Sequence, residues 1–482
     1  MTPAATPSDA PQGPLHGLRI LDLTAVVMGP YATQTLGDLG ADVIKVEPPA
    51  GDNLRAVGPM RHAGMGAMAM HLNRNKRSIV LDLKQPEGRD ACLRLAAGCD
   101  ALIYNVRPQA MARLGLGYDA VAAANPKIVY IGAFGYGEDG PYAGKPAYDD
   151  LIQGAVGVAS LFAQQSGAEP RYAPVTLADR AVGLQAAIAL LAAVFNAQRT
   201  GRGQSVEVPM FEALAQFVMG DHLGGHSFEP PIGPTGYARL LAPHRKPYAT
   251  ADGYLSVLIY NDKHWQSFFD VIGRPELRDS PMFGSHTARA ANIGAVYAFV
   301  AEVMVTRTCD AWMAALEAAD VPVARLHTTD SLLDDPHLRA VGFFQESEHP
   351  SEGRIRSPAP VGRYGATPAS IRRPTPRIGE HSVELLREAG YDDAVIDALL
   401  ARRVTLQPEN ATLTFPSPKT SAHWSPPSNG SAKTSRSTIG ANTTTAPSSR
   451  TNSTAPSPRV AGSVSRCPRR KAAPASASPK RR

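Results

Sequence analysis

One carboxylate, Asp179, stands where a loop passes into a long apolar run. Ala, Leu and Ile dominate residues 181–195, which predicts a core helix, and the alternation over residues 205–208 predicts a strand. An aspartate in this position has two interpretations. Aspartate is a favoured helix N-cap and suits the positive end of the helix dipole. It is also a nucleophile when it is held at the wall of an apolar pocket.

The positive charge of the chain is concentrated at one end. The 482 residues carry a formal net charge of +6, and the sequence pI is about 9.1. Residues 405–482 hold 12 Lys or Arg and one acid, Glu409, so residues 1–404 carry a net charge of about −5. A basic surface for nucleic acid is therefore not expected on the body of the protein.

The cysteines and the first residues indicate a cytoplasmic protein. The 4 cysteines form no CxxC pair and have no His at metal-ligand spacing, so we expect reduced thiols and no metal site. The opening residues, MTPAATPSDAPQGP, lack the basic start and apolar core of a signal peptide. The run at 181–195 is shorter than the roughly 20 apolar residues of a membrane span, so no membrane partner is expected.

Strands and helices alternate through the first half of the chain, which favours an α/β fold with a parallel sheet. The first turn lacks GxGxxG, so NAD is not expected. The Gly-rich loop at 135–150 follows a predicted strand, and open α/β sheets bind ligands at such strand ends. Strands are predicted at 18–23, 41–47, 100–105 and 128–134 and after the basic cluster at 73–84, with helices at 31–39 and 86–98.

A smaller α+β domain is expected to follow. It contains a predicted hairpin at 248–260 around Asp252-Gly253, helices at 264–272 and 293–319, and a strand at 321–327. Helical patterns resume at 331–344 and 379–400, whereas the Ser, Thr and Pro of the last residues predict disorder. The expected organisation is a disordered N-terminus (1–14), a large domain (15–220), a small domain (221–334), a return to the large domain (335–404) and a disordered tail (405–482).

Six segments resemble, in order and at similar spacings, the class III CoA-transferases, the family often called CaiB/BaiF-like. They are LHGLRILDLTAVVMGPYATQTLGDLGADVIKVEPPAGDNLR, NRNKRSIVLDLKQPEGR, YNVRP, GYGEDGPYAGKPAYD, TGRGQSVEV and VPVARLHTTDSLLDDPHLRAVGFF, and the resemblance covers nearly all of residues 15–400. It implies a Rossmann-like large domain, a small domain and an interlocked homodimer in which each chain threads a ring formed by its partner.

The resemblance also implies the chemistry. Asp179 matches the catalytic aspartate, which attacks a thioester and then carries CoA as an aspartyl thioester. CoA enters as part of the substrate, and no tightly bound cofactor is expected. Lys76, Arg77 and Arg107 are further candidates for CoA phosphates because they belong to basic clusters. The positions that match CoA contacts in the family are Val26, Leu81, Lys84, Asn105, Val106 and Arg113.

Two alternatives stay open. Related α-methylacyl-CoA racemases use a His followed by Asp where this chain has Tyr148 and Asp149. A phenol of pKa about 10 is a poor base at neutral pH, so Tyr148 is better suited to donate a hydrogen bond near the acyl oxygen, and transfer is favoured. The other alternative is a non-catalytic acyl-CoA-binding protein, in which acyl-CoA binds without exchange.

The acids that exchange CoA are only partly indicated. Formyl-CoA transferases of the family carry His and Gln where this chain has Ala25 and Val27, so a formyl or oxalate substrate is disfavoured. Arg239, His244 and Arg245 could pair with a second carboxylate, which suggests a dicarboxylate such as succinate.

Overall fold

A six-stranded parallel sheet organises the first half of the chain. In the computed structural model, which describes residues 13–410, the strand order is β3-β2-β1-β4-β5-β6, and every neighbouring pair is parallel. This is the doubly wound order, and it confirms the α/β class. The strands are β1 (Arg19–Leu23), β2 (Asp42–Glu47), β3 (Lys76–Val80), β4 (Ala101–Tyr104), β5 (Val129–Phe134) and β6 (Gln204–Pro209).

Helices cover both faces of this sheet. Successive residues of a strand point to opposite faces, so Ile20 packs into one apolar cluster and Leu21 into the other. Burial on both faces explains why the strands are continuous apolar runs. The helices of this part are α1 (Met28–Asp38), α2 (Ala67–Leu72), α3 (Pro86–Ala97), α4 (Pro108–Arg113), α5 (Tyr118–Ala124), α6 (Asp149–Ala155), α7 (Val158–Ser166), α8 (Leu177–Thr200) and α9 (Met210–His222).

Helix α8 is the long core helix, and it is longer than predicted. Its 24 residues end at Thr200, and the following residue, Gly201, has a left-handed φ of 72°. By length and composition α8 could cross a membrane, so the expectation that the run is too short was wrong. The helix packs against α1 and the sheet. The contact with α1 is so close that a Cβ at Gly183 would lie only 2.7 Å from the Met28 carbonyl oxygen. Glycine therefore permits the close contact of α8 with the first turn of α1.

A second, antiparallel sheet contains β7 (Tyr248–Ala249), β8 (Tyr254–Val257) and β9 (Val323–Arg325), in that order. The predicted hairpin is confirmed. The predicted helix at 293–319 is two helices, because the Thr308 hydroxyl accepts a hydrogen bond from the Ala311 N–H and starts a new helix. An aromatic core that includes Trp265, Phe268 and Trp312 lies among α10 (Asp262–Val271), α11 (His286–Ala291), α12 (Ile293–Met304) and α13 (Cys309–Ala318).

The last described part contains a hairpin that the sequence did not predict. Its strands, β10 (Phe344–His349) and β11 (Gly353–Pro358), are joined by cross-strand ion pairs from Arg354 and Arg356 to Glu346. The remaining helices are α14 (Thr329–Leu332), α15 (Pro336–Ala340), α16 (Ser382–Glu388) and α17 (Asp393–Ala401). Short 3₁₀ helices span Asn53–Ala56, Gly224–Ser227, Pro275–Asp279 and Pro408–Asn410.

The chain returns to the large sheet after the hairpin and lies along the outer strand β3. The backbone N–H groups of Val80 and Asp82 donate to Ser382 Oγ and to the Val404 carbonyl oxygen. Thr405 and Leu406, which were predicted to belong to the tail, are buried against β3, so the ordered body extends past residue 404. The other domain boundaries stay predictions, and the predictions for residues 1–12 and 411–482 lie outside the described residues.

Candidate active site

A cleft of about 360 Å³ lies at the carboxyl ends of β1, β4 and β5. Loops that begin at these strand ends form its wall, as in other doubly wound sheets. The cleft brings together six of the nine predicted site residues, namely Asp179, Tyr148, Asp149, Val26, Asn105 and Val106, together with Ala25, Val27, Met28, Arg107, Phe134, Gly135, Lys145, Pro146, Ala147 and Met210.

Asp179 is the third residue of α8 and is half-buried. Thr176 occupies the N-cap, so the interpretation of Asp179 as the cap was wrong. Burial and, after it, the nearby charge of Asp149 raise the pKa of the Asp179 carboxyl to about 7, while Arg180 opposes both effects. In these surroundings the ionised carboxylate is weakly solvated and lies near a second negative charge. Forming a bond to a substrate removes its charge and is therefore favoured, as a nucleophile requires.

Asp149 holds the beginning of α8 in place. Its Oδ1 accepts the backbone N–H of Asp179 at 2.9 Å, and its Oδ2 accepts Gln153 Nε2 at 2.6 Å. Gln153 in turn accepts the Ala173 N–H at 2.9 Å. Both oxygens of Asp149 are therefore engaged in structure, which suits positioning better than proton abstraction. Tyr148, directly before it, is 66 % exposed and has its phenol available in the cleft.

The loop after β1 is fixed by Asn105 at the end of β4. Asn105 Oδ1 accepts the Ala25 N–H at 2.9 Å, and Asn105 Nδ2 donates to the Ala25 carbonyl oxygen at 2.7 Å. The next residue, Val26, has a φ of 68°. This left-handed conformation costs a β-branched residue about 1–3 kcal/mol, and it persists only where neighbours impose it. Sequence patterns gave no signal of this strain.

Two of the predicted phosphate ligands have structural roles instead. Lys76 is completely buried, and its Nζ lies 3.1 Å from Asp22 Oδ2, with burial lowering the pKa of Lys76 to about 8. Arg77 is buried and pairs with Asp42, Glu384 and Glu388. Both predictions were wrong because the basic cluster belongs to the strand β3 itself.

Arg107 and Lys145 are the cationic side chains of the cleft. Arg107 is a candidate predicted from the sequence, whereas Lys145 was not predicted; the Lys145 Nζ lies 4.0 Å from the centroid of the Tyr142 ring. Both are exposed and therefore open to an anionic ligand.

Three predicted CoA contacts and the three predicted carboxylate ligands lie outside the lining of the cleft. Leu81 is 1 % exposed and belongs to the core beneath α3, so its side chain is closed to a ligand. Lys84 and Arg113 are exposed in segments that follow β3 and β4. Arg239 donates to the Tyr297 hydroxyl at 3.1 Å in the part that holds the second sheet. The other two predicted carboxylate ligands, which also do not line the cleft, are His244 and Arg245.

Known proteins match this chain over most of its length. A family model described as CoA-transferase family III matches residues 15–382. The succinyl-CoA:glutarate CoA-transferase of Homo sapiens is 32 % identical over 401 residues, which are 82 % of this chain and 91 % of that relative. The succinate–glutarate CoA-transferase of Agrobacterium fabrum is 32 % identical over 390 residues, 78 % of this chain and 95 % of the relative.

Solved structures agree with the sequence matches. The crystal structure of Rv3272 from Mycobacterium tuberculosis superposes with a TM-score of 0.68 at 29 % identity, covering 77 % of this chain and 99 % of that one. A CaiB/BaiF family protein from Brucella suis gives a TM-score of 0.67 at 30 % identity, covering 78 % of this chain and 100 % of that one.

The parallel sheet, its cleft and the match over residues 15–382 place the chain in CoA-transferase family III, the CaiB/BaiF family. The protein is accordingly a CoA-transferase, an enzyme that moves CoA between an acyl-CoA and a carboxylic acid. The family and the enzyme class predicted from the sequence are thus confirmed.

Proposed function

We propose that the enzyme transfers CoA from succinyl-CoA to a free dicarboxylic acid and that Asp179 carries the CoA as a thioester. The observation that carries this proposal is the half-buried Asp179 carboxylate, which lines the cleft at the strand ends with a raised pKa. The names of the relatives support the substrate class, because some combine succinyl-CoA with a dicarboxylic acid such as glutarate or malate.

The proposed reaction proceeds through two exchanges at one carboxylate. An oxygen of Asp179 attacks the thioester carbonyl carbon, the C–S bond breaks, and CoA leaves as a thiolate, so that Asp179 and the donor acyl group are joined as a mixed anhydride. The thiolate attacks Cγ of Asp179, which releases the donor acid as a carboxylate and leaves an aspartyl-CoA thioester. The acceptor carboxylate then reverses both steps. The complete cycle exchanges one thioester for another of similar free energy, so it closes without ATP.

The residues of the cleft fit these steps. Asp149 fixes the backbone of the nucleophile, and Tyr148 supplies a phenol that can donate to the acyl oxygen as it becomes negative. Arg107 and Lys145 supply positive charge for CoA phosphates. Ala25 and Val27 present small apolar side chains in place of His and Gln, which leaves room for an acid larger than formate or oxalate.

We further propose a cytoplasmic homodimer. Apolar side chains on one stripe of α8 are exposed, with Ile188 at 60 % and Phe195 at 61 %, and Phe217 of α9 adds a third. A monomer rarely leaves so many large apolar groups in water on adjacent helices, whereas a second copy would cover them. Light scattering on the purified chain tests this proposal, which predicts twice the mass of 51.1 kDa.

An acid panel tests the reaction. Succinyl-CoA and a series of free acids should give new acyl-CoA products without ATP, and hydroxylamine should trap the wild-type intermediate on Asp179. D179A should abolish transfer. D150A is the matched control, since Asp150 is an exposed carboxylate next to Asp149 that does not line the cleft. Unchanged turnover in D179A, or binding of acyl-CoA without exchange in the wild type, would remove the proposal.

A further inference from the structure

The strained residue Val26 is held by a side chain that does not itself line the cleft, that of Asp52. Asp52 Oδ1 accepts the Val26 N–H at 3.1 Å and the Leu54 N–H at 2.9 Å. Asp52 is buried and caps the 3₁₀ helix Asn53–Ala56, so its position is fixed independently of the turn. The backbone of Val26 is thereby tied to a rigid element on the neighbouring loop.

Lys45 holds the other side of the same turn. Its Nζ lies 3.0 Å from Asp52 Oδ2 and donates to the Thr24 carbonyl oxygen at 2.9 Å. Lys45 belongs to β2, the strand next to β1, and is completely buried. Lys45 and Asp52 therefore hydrogen-bond to the backbone on both sides of Ala25, at Thr24 and at Val26. This is the point where β1 ends and the cleft begins.

The pair belongs to a buried ionic cluster with balanced charge. Three carboxylates and three cations lie together beneath the cleft, and each is nearly or completely inaccessible to water. Because the cluster is neutral, removing Lys45 and Asp52 together leaves no uncompensated charge in the interior. Its members are Asp22, Lys45, Glu47, Asp52, Arg55 and Lys76.

We propose that Asp52, supported by Lys45, is a positioning residue that holds Val26 in its left-handed conformation and so shapes the CoA-binding wall of the cleft. Val26 is 40 % exposed there and shares the cleft with Asp179. A β-branched residue does not keep this conformation unaided, so the shape of the wall depends on the acceptor at position 52. This inference rests on the proposed function, since it assigns the turn to binding of acyl-CoA.

Two electrically matched double variants isolate the acceptor. K45M/D52N keeps a carboxamide oxygen that can accept the Val26 N–H, whereas K45M/D52A has none. We expect the KM for succinyl-CoA to stay within threefold of wild type in K45M/D52N and to rise at least tenfold in K45M/D52A. A purely structural role would lower the folded fraction, and hence the apparent kcat, without changing KM. Equal KM values in the two variants would overturn the proposal.

The substitution V26G tests whether the acceptor at position 52 acts through the conformation of Val26, because glycine adopts a positive φ without strain. Adding V26G should reduce the effect of losing the acceptor on KM from at least tenfold to less than threefold. An undiminished effect would contradict the proposal. Should K45M/D52A not fold, recovery of folded protein on adding V26G supports the proposal, and continued failure to fold overturns it.

The failure of this inference is distinguishable from failure of the proposed function. If the wild-type chain transfers no CoA to any acid of the panel, the proposed function falls. The same variants can then be compared by calorimetric titration with CoA alone, in which K45M/D52A should bind at least tenfold more weakly than K45M/D52N. Equal affinities for CoA would remove the role assigned to Asp52.

Discussion

The carboxylate of Asp149 accepts the backbone N–H of Asp179 over 2.9 Å. This single contact acts on Asp179 in two opposing ways. It stabilises the first turn of α8, which carries the nucleophile, by satisfying an N–H that the helix itself leaves unpaired. It also keeps a negative charge beside the Asp179 carboxyl and so adds to the rise of its pKa that burial causes. The enzyme thus gains a fixed nucleophile that ionises only near neutrality.

The pH dependence of the reaction should report this ionisation. Because only the ionised Asp179 attacks and its pKa is raised to about 7, kcat/KM should fall about tenfold per pH unit below 7 and level off above it. Initial rates with succinyl-CoA between pH 5 and 9 measure the profile. A profile that stays flat down to pH 5 would show an ordinary, unshifted carboxyl.

Removing the charge at position 149 should move that profile. In D149N the neighbouring negative charge is gone, so the pKa of Asp179 falls and the acid limb should shift to lower pH by up to about one unit. The plateau rate should also fall, because an amide cannot accept from both the Asp179 N–H and Gln153. Rates for D149N and wild type over the same pH range test this, and a limb displaced to higher pH would contradict it.

The raised pKa of Asp179 also has a consequence for stability. The carboxyl keeps its proton in the folded state up to about pH 7 but loses it near its ordinary value of 3.8 in the unfolded chain. Wild-type stability therefore declines as pH rises from about 4 to 7. Asparagine does not ionise, so D179N should unfold with a free energy higher by about 1–2 kcal/mol at pH 8 and by less at pH 5. Urea titrations at both values measure the difference, and the exposed D150N serves as the control without a pH-dependent gain.

The glycines of α8 and α9 should respond oppositely to the same substitution. In G183A the new methyl group meets the Met28 carbonyl oxygen at 2.7 Å, which should destabilise the protein by about 1–3 kcal/mol and lower activity by displacing the first turn of α1. In G220A the methyl group meets nothing within 4 Å, so the better helix propensity of Ala should stabilise by up to about 1 kcal/mol. Denaturation curves that moved in the same direction for both variants would contradict this packing argument.

The cationic side chains of the cleft should matter for CoA rather than for the acceptor acid. R107M and K145M should each raise the KM for succinyl-CoA by roughly 5–30-fold, corresponding to about 1–2 kcal/mol, and leave the KM for the acid unchanged. K127M is the matched control, because exposed Lys127 precedes β5 and lies at the opposite end of the sheet. The wild-type KM should rise with salt, and that rise should be smaller in R107M.

The parts of the fold that could be predicted from the sequence are the strands and helices in which most residues are buried. Both faces of the large sheet are covered, so its strands read as apolar runs. The β10–β11 hairpin escaped prediction because its residues are mostly polar and give no apolar run, although exposed pairs such as Glu346 with Arg354 lie across its strands. Helix α8 was predicted too short at its beginning, since Asp179 and Arg180 interrupt the apolar pattern within its first turn.

The residues of the site also differ in how far the sequence could predict them. Asp179, Tyr148 and Asn105 were predicted from the resemblance to the family, and the structure places all three in the lining of the cleft. The role of Lys76 was not readable, because its partner Asp22 lies 54 residues away and only the packed sheet brings them together. The proposed role of Asp52 could not be predicted either. It depends on a contact with the Val26 N–H and on the left-handed backbone of Val26, and both appear only in the folded chain.

The outer strand β3 has its free edge bonded by Ser382 and His381, about three hundred residues later in the chain. A ribosome adds about 5–20 residues per second, so roughly 15–60 s pass between the synthesis of the strand and that of its cover. Throughout that interval a nascent chain presents an open β edge, which is a template for pairing with other chains. Truncation before residue 382 should accordingly yield aggregates or chaperone-bound chains rather than a soluble large domain.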